Sequence, residues 1–165
     1  MAELTAEMGI TKPSLYAAFG NKEALFHKAL DLYEREKLAY IGPALEAPTA
    51  RGVAERLLHG ALELQMSPCD PKGCLGIIGA LACGVEAESI RADVVARRAS
   101  SQAALVRRFE RAKADGDLPE ALEPEALANY LLAIVQGLSV QAGAGAGCTQ
   151  LSQLVETSLA LWPTR

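Results

Sequence analysis

Thr11, Lys12, Ser14, Tyr16 and Lys22 place three hydroxyls and two ammonium groups in one short stretch, and no acid lies between Gly9 and Lys22. This is chemistry for holding phosphate. Lysines supply charge, and the hydroxyls supply hydrogen bonds that fix register on a nucleic-acid backbone. Base reading has less to work with, because Ala17 and Ala18 offer at most a methyl contact to thymine. Two further sites carry reactive or charged groups. Arg98 interrupts the apolar side of a long helical stretch, where a charge needs a partner. Glu63 or Glu86 is one choice, and an anionic ligand is the other. Cys74 follows the Pro- and Gly-rich loop that holds Cys69 and opens a new helix, where the N-terminal dipole lowers a thiol pKa. It is a candidate sensor thiol, or else a packed small residue. Cys83 falls nearly half a turn away from it. His27 and His59 show no ligand spacing with the cysteines, so neither a metal site nor a cofactor is expected.

The phosphate-holding groups need two closely spaced helix starts to position them. Thr11 can cap the first through its hydroxyl. Pro13 falls in the first turn, where a missing N–H costs nothing. Gly20-Asn21 ends that helix, and Asn21 can cap the next, with Glu23 near its positive end. A short helix held behind the Gly9 turn could enter a major groove by its N-terminal end.

Down the rest of the chain, helix follows helix. Half of the 165 residues are hydrophobic, only 5% are aromatic, and the formal net charge is -4. Any nucleic-acid contact must therefore be a local patch. Apolar periodicity predicts helices over about 21–41, 53–66, 88–114, 124–143 and 148–162. Gly42-Pro43 and Pro48 are expected to break the first of these. The nearly continuous apolar run from Cys74 to Val85 is expected to form a buried helix, too short to span a membrane. No charged-then-apolar leader is visible, so a cytoplasmic location is expected. The fold class is all-α, with no convincing strand.

The stretch from Met8 to Phe26 resembles the DNA-binding motif of the TetR family of transcriptional regulators. The matching pattern is the Gly9 turn, Thr11-Lys12-Pro13-Ser14-Leu15-Tyr16, Phe19, and Asn21-Lys22-Glu23-Ala24-Leu25-Phe26. Weaker marks are Gly73-Cys74-Leu75 and Gln136-Gly137-Leu138-Ser139. The resemblance implies a helix-turn-helix domain with its connecting helix over 1–41, and a helical ligand-binding and dimerisation domain over 42–165. It further implies a homodimer that represses by binding a palindromic double-stranded DNA operator and is released by a small-molecule effector. By position, Thr11, Lys12, Pro13, Ser14 and Tyr16 fall where the family touches DNA, and Lys22 where it touches phosphate. Family members carry a first helix before the point at which this sequence starts. That helix packs under the other two, so a chain starting at Met1 leaves their apolar faces uncovered.

For the larger domain, the expected effector contacts are Leu62, Met66, Ile77, Ile78, Leu81, Arg98, Leu105, Phe109 and Tyr130. The last two helices are apolar on more than one side and need a cover. Leu132, Val140, Leu151, Leu154, Val155, Leu159 and Trp162 are the expected dimer contacts. A competing reading is a dimeric small-molecule-binding or cysteine-based redox or electrophile sensor without DNA binding. Nothing in the sequence has the pattern of an enzyme: there is no nucleophile elbow and no glycine loop after a strand. No membrane partner is expected.

Overall fold

The computed structural model describes residues 1–68, 70–77 and 88–163, and among them the regular structure is all helical. The helices are α1 (Ala2–Glu7), α2 (Lys12–Phe19), α3 (Lys22–Lys37), α4 (Ile41–Leu45), α5 (Ala50–Met66), α6 (Glu88–Ala114), α7 (Pro124–Gly143) and α8 (Cys148–Ala160). Residues 75–77 begin the helix expected after Cys74. The rest of that helix, with Ile78, Leu81 and Cys83, lies outside the described residues, as do Cys69 and Glu86.

Local chemistry sets the boundaries. Thr11 accepts a bond from the Ser14 N–H at 3.2 Å, and Asn21 Oδ1 accepts one from the Ala24 N–H at 2.8 Å. Thr49 does the same for Gly52 at the start of α5. Gly9, at φ +63°, ends α1: its N–H and that of Ile10 return to the Ala6 and Thr5 carbonyls. Gly116 ends α6 in the same way. Only glycine enters this left-handed region without a Cβ penalty.

One expected boundary is wrong. The helix from Asn21 stops at Lys37, and Gly42-Pro43 does not break a helix but sits inside α4. Pro43 lies in α4's first turn, where its missing N–H has no partner to lose. The buried Arg108 side chain then fixes the end of α4, donating to the Leu45 and Ala47 carbonyls at 3.1 and 2.7 Å.

The core lies where α5, α6, α7 and α8 meet. Leu57, Leu58, Leu105, Phe109, Leu131, Leu138, Leu151, Val155 and Trp162 are buried there. Helix α7 packs against α5, α6 and α8. It is long and apolar enough by composition to cross a membrane, but its Leu127, Leu131 and Leu138 stripe is buried in this bundle. The N-terminal hairpin has its own small centre in Leu15 and Leu30. Leu4 and Met8 stay exposed on α1.

Gly60 marks the closest approach. A Cβ there would lie 2.2 Å from the Tyr40 ring, whereas one at Gly42 would meet nothing within 4 Å. Gly60→Ala is therefore expected to lose about 1–3 kcal/mol through overpacking, against a helix-propensity gain of about 1 kcal/mol. Gly42→Ala is expected to be neutral or stabilising by about 0.5–1 kcal/mol. Thermal melts of the two variants should shift in opposite directions, and a rise for Gly60→Ala would contradict this packing.

Candidate functional site

Two regions carry the chemistry. The first is the N-terminal end of α2 with that of α3. Thr11, Lys12, Pro13, Ser14 and Lys22 are all exposed there, while Leu15 behind them is fully buried. The Thr11 and Ser14 hydroxyls bond each other at 2.8 Å. Lys12 Nζ stands 5.9 Å from the centroid of the half-buried Tyr16 ring, one helical turn on, so both present to the same side. Ammonium and hydroxyl groups thus stand exposed together at two helix N-termini, an arrangement suited to phosphate.

The second region is a cavity of about 170 Å³ between α3, α5, α6 and α7. Helix α3 contributes Leu30, Tyr33 and Glu34, and the segment after it Leu38, Tyr40 and Ile41. The α5 side gives Ala61 and Leu64, with Cys74 and Ile77 following the loop. Val94, Arg97, Arg98, Ser101 and Gln102 come from α6, and Leu132, Val135, Gln136 and Ser139 from α7. Gln65 holds the Cys74 loop in place by a two-way amide pair with Gly73, at 2.8 and 3.1 Å.

The phenols of Tyr33 and Tyr40 and the buried Ser139 hydroxyl are polar groups of the wall. The Tyr33 hydroxyl is buried and has no hydrogen-bond partner among the described residues. Burial, and then the neighbouring Cys74 thiol, holds its pKa well above the usual phenol value. The same causes push Tyr40 up to about 12.

Helix α3 therefore runs from the phosphate-facing end to the cavity wall, and ionic contacts tie it to α6. Arg97 reaches Asp31 at 2.7 Å and Glu34 at 2.8 Å, both on α3, and Asp93 at 3.0 Å on its own helix. Asp93 in turn meets His27 Nδ1 at 2.8 Å, and Ser89 donates to Glu23 at 2.6 Å. The hydrogen bond from Arg97 is the main cause that holds the Asp93 carboxyl below its usual range, with His27 adding to it. The carboxylates in turn raise the Arg97 pKa further above its ordinary value.

A family profile described as "Bacterial regulatory proteins, tetR family" matches residues 1–29. A cysteine-substituted form of the TetR family transcriptional regulator CifR, complexed with 26-bp double-strand operator DNA, superposes with a TM-score of 0.90. It is 38% identical, over 99% of this chain and 86% of that one. The chain belongs to the TetR family. The HTH-type transcriptional repressor ComR of Escherichia coli K12 is 29% identical over 99% of this chain and 79% of its own length. E. coli NemR in its reduced form superposes with a TM-score of 0.63 at 21% identity, covering 99% of this chain and 86% of its own, a likeness of fold alone.

Among the expected effector contacts of this TetR-family chain, Ile77 and Arg98 line the cavity, and so does Cys74. Leu62, Leu105 and Phe109 instead fill the core, Phe109 with its ring 6.0 Å from Trp162. Met66 and Tyr130 are exposed away from the lining. Apolar helix periodicity cannot tell a packed side chain from one beside a void. The expected dimer contacts fall into several environments. Leu151, Val155 and Trp162 are buried in the chain's own core, Leu132 lines the cavity, and Leu154 and Leu159 are half-buried against the core. Of these, Val140 is exposed, and Leu161 beyond α8 is exposed too. Arg98 forms no ion pair with Glu63, and Glu86 lies outside the described residues; Arg98 donates to Gln136 Oε1 at 2.7 Å. Tyr33, Tyr40 and Arg97 were missed, because the groups that surround them come mostly from segments far off in sequence.

The junction between α3 and α6 has a pH signature. Because the folded Asp93 pKa is depressed, its contribution is present above the ordinary carboxylate range near pH 4 and is lost as pH falls through the folded value. Asp93→Asn should lower the melting temperature near pH 7 and flatten its decline in acid. An acid limb identical to that of the native chain would remove Asp93 from this role.

Proposed function

We propose that this chain is an effector-released transcriptional repressor, binding a palindromic operator as a homodimer in the cytoplasm. The observation that carries the reading is that one helix serves both regions. Helix α3 begins at Lys22 beside the reading head and ends in the cavity wall, with Leu30, Tyr33 and Glu34. In this reading Thr11, Lys12, Pro13, Ser14, Tyr16 and Lys22 hold DNA, with the head and connecting helix over 1–41 and the effector and dimer part over 42–165. An effector that fits the cavity better when α3 is tilted favours a dimer whose heads no longer match the half-site spacing. The operator-bound form of CifR, and ComR's description as a repressor, support the direction of control. Exposed Val140 and Leu161 suit a dimer face at α7 and α8.

A gel shift of the full-length protein with the DNA upstream of its own gene should show a complex lost on adding effector. Lys12→Ala and Lys22→Ala should each weaken it regardless of sequence and lower the salt slope by about one. Failure to shift that DNA at low salt would count against the repressor reading, as would a monomer in light scattering.

A second reading is favoured by one observation: Cys74 lines the same cavity as the two raised phenols. Here the Cys74 thiol is the receptor for an electrophilic or oxidising effector. Alkylation that releases operator DNA from the native chain but not from Cys74→Ser would support it; a thiol no faster than free cysteine would end it.

A further inference from the structure

The cavity's charge balance points to the class of effector, and the inference rests on the repressor reading above. Two cations line the cavity, Arg97 and Arg98, with Glu34 the single carboxylate of the lining among the described residues. The two arginines are not equivalent. Arg97 is saturated, with Asp31, Glu34 and Asp93 all within 3.0 Å of its guanidinium. Glu34 is thereby used as well. Arg98 makes one hydrogen bond, to the neutral Gln136 side chain. No carboxylate among the described residues lies within ion-pair distance of it. A guanidinium has five donors in a planar fork and stays charged at every physiological pH, so among the described residues most of its capacity to bind an anion is unused.

The surroundings sharpen the choice. Arg98 is exposed and lines the cavity, which places it where the cavity meets solvent, and leucine, isoleucine and valine are the largest group in the rest of the wall. The Tyr33 hydroxyl, buried in that wall beside the Cys74 thiol, has no hydrogen-bond partner within bonding geometry among the described residues. Arg98 and the Tyr33 hydroxyl thus both offer donors at this cavity, alongside the amides and hydroxyls of Gln102, Gln136, Ser101 and Ser139. Size adds a bound. An apolar cavity of about 150 Å³ takes up benzene, and this one is about 170 Å³.

We infer that the effector is a small amphipathic organic anion, with a body about the size of a benzene ring or a six-carbon chain and one carboxylate-like head held by Arg98 and Gln136. A cationic effector is disfavoured, because Glu34 is already committed to Arg97.

The test is titration calorimetry of the purified full-length dimer with benzoate, hexanoate, benzamide and benzylamine, which keep similar bodies while the head changes from anion to neutral to cation. Benzoate or hexanoate should bind at least roughly tenfold more tightly than benzamide, the increment of a charge-assisted hydrogen bond. Arg98→Met, which is exposed and should melt like the native chain, should bring the anions down to the benzamide level. Equal binding of anion and amide, a preference for benzylamine, no binding of either anion, or anion binding unchanged in Arg98→Met would each overturn the inference. A gel shift of the same preparation without any additive reads the repressor function separately. If that fails while benzoate binds through Arg98, the repressor reading falls and the anion site stands.

Discussion

Arg97 holds three carboxylates at once, and two of them belong to a different helix. This junction ties the reading head's helix α3 to α6, and the Lys37–Asp70 ion pair at 2.6 Å ties it to the loop after α5. Among the described residues, Leu30 and Val94 are the buried apolar side chains near it that lie outside the main core cluster. A contact built from charges behaves differently from one built from leucines. Its strength depends on geometry at a few atoms, and its members are partly solvated, so it gives way without opening a cavity. A helix that must change its angle in service is better fastened this way than locked into a close-packed core. His27 and Ser89 extend the fastening along α3 toward the head.

The larger domain is organised on the opposite principle. Helices α5, α7 and α8 bury alanine and leucine faces against one another, with Phe109 and Trp162 closing one end. The cavity sits between this firm bundle and the polar junction, and takes side chains from both. Arg98 lies next to Arg97 in sequence yet has a different fate, because successive residues on a helix point about 100° apart. One guanidinium turns to α3 and is neutralised; the other turns to α7 and is left with an amide.

What could be read from the sequence was mostly local. Thr11, Pro13 and Asn21 announce two helix starts because capping is settled within a few residues, and the structure places both caps there. The long helices from Glu88 and Pro124 follow the periodic pattern to their ends. Long-range pairing was not legible. Nothing around position 97 says that Asp31 and Glu34 will meet it, and nothing in Leu105 or Phe109 tells core from cavity wall. The polar residue noticed was Arg98, since it broke an apolar stripe. Arg97 escaped notice because a charge beside other charges looks like an ordinary solvated face.

The amide pair between Gln65 and Gly73 has a mechanical meaning. Lys72 reinforces it, reaching the Gln65 and Ser67 carbonyls at 2.6 and 2.8 Å. The segment bearing Cys74 and Ile77 is thereby hung from α5, inside the firm bundle, whereas the facing wall of Leu30 and Tyr33 rides on α3 with the head. The cavity is thus the gap between a stator and a rotor. In the proposed mechanism a molecule lodged in it acts as a shim, and its girth across that gap sets the tilt of the head. Two compounds bound equally tightly but differing in thickness would then release DNA to different extents.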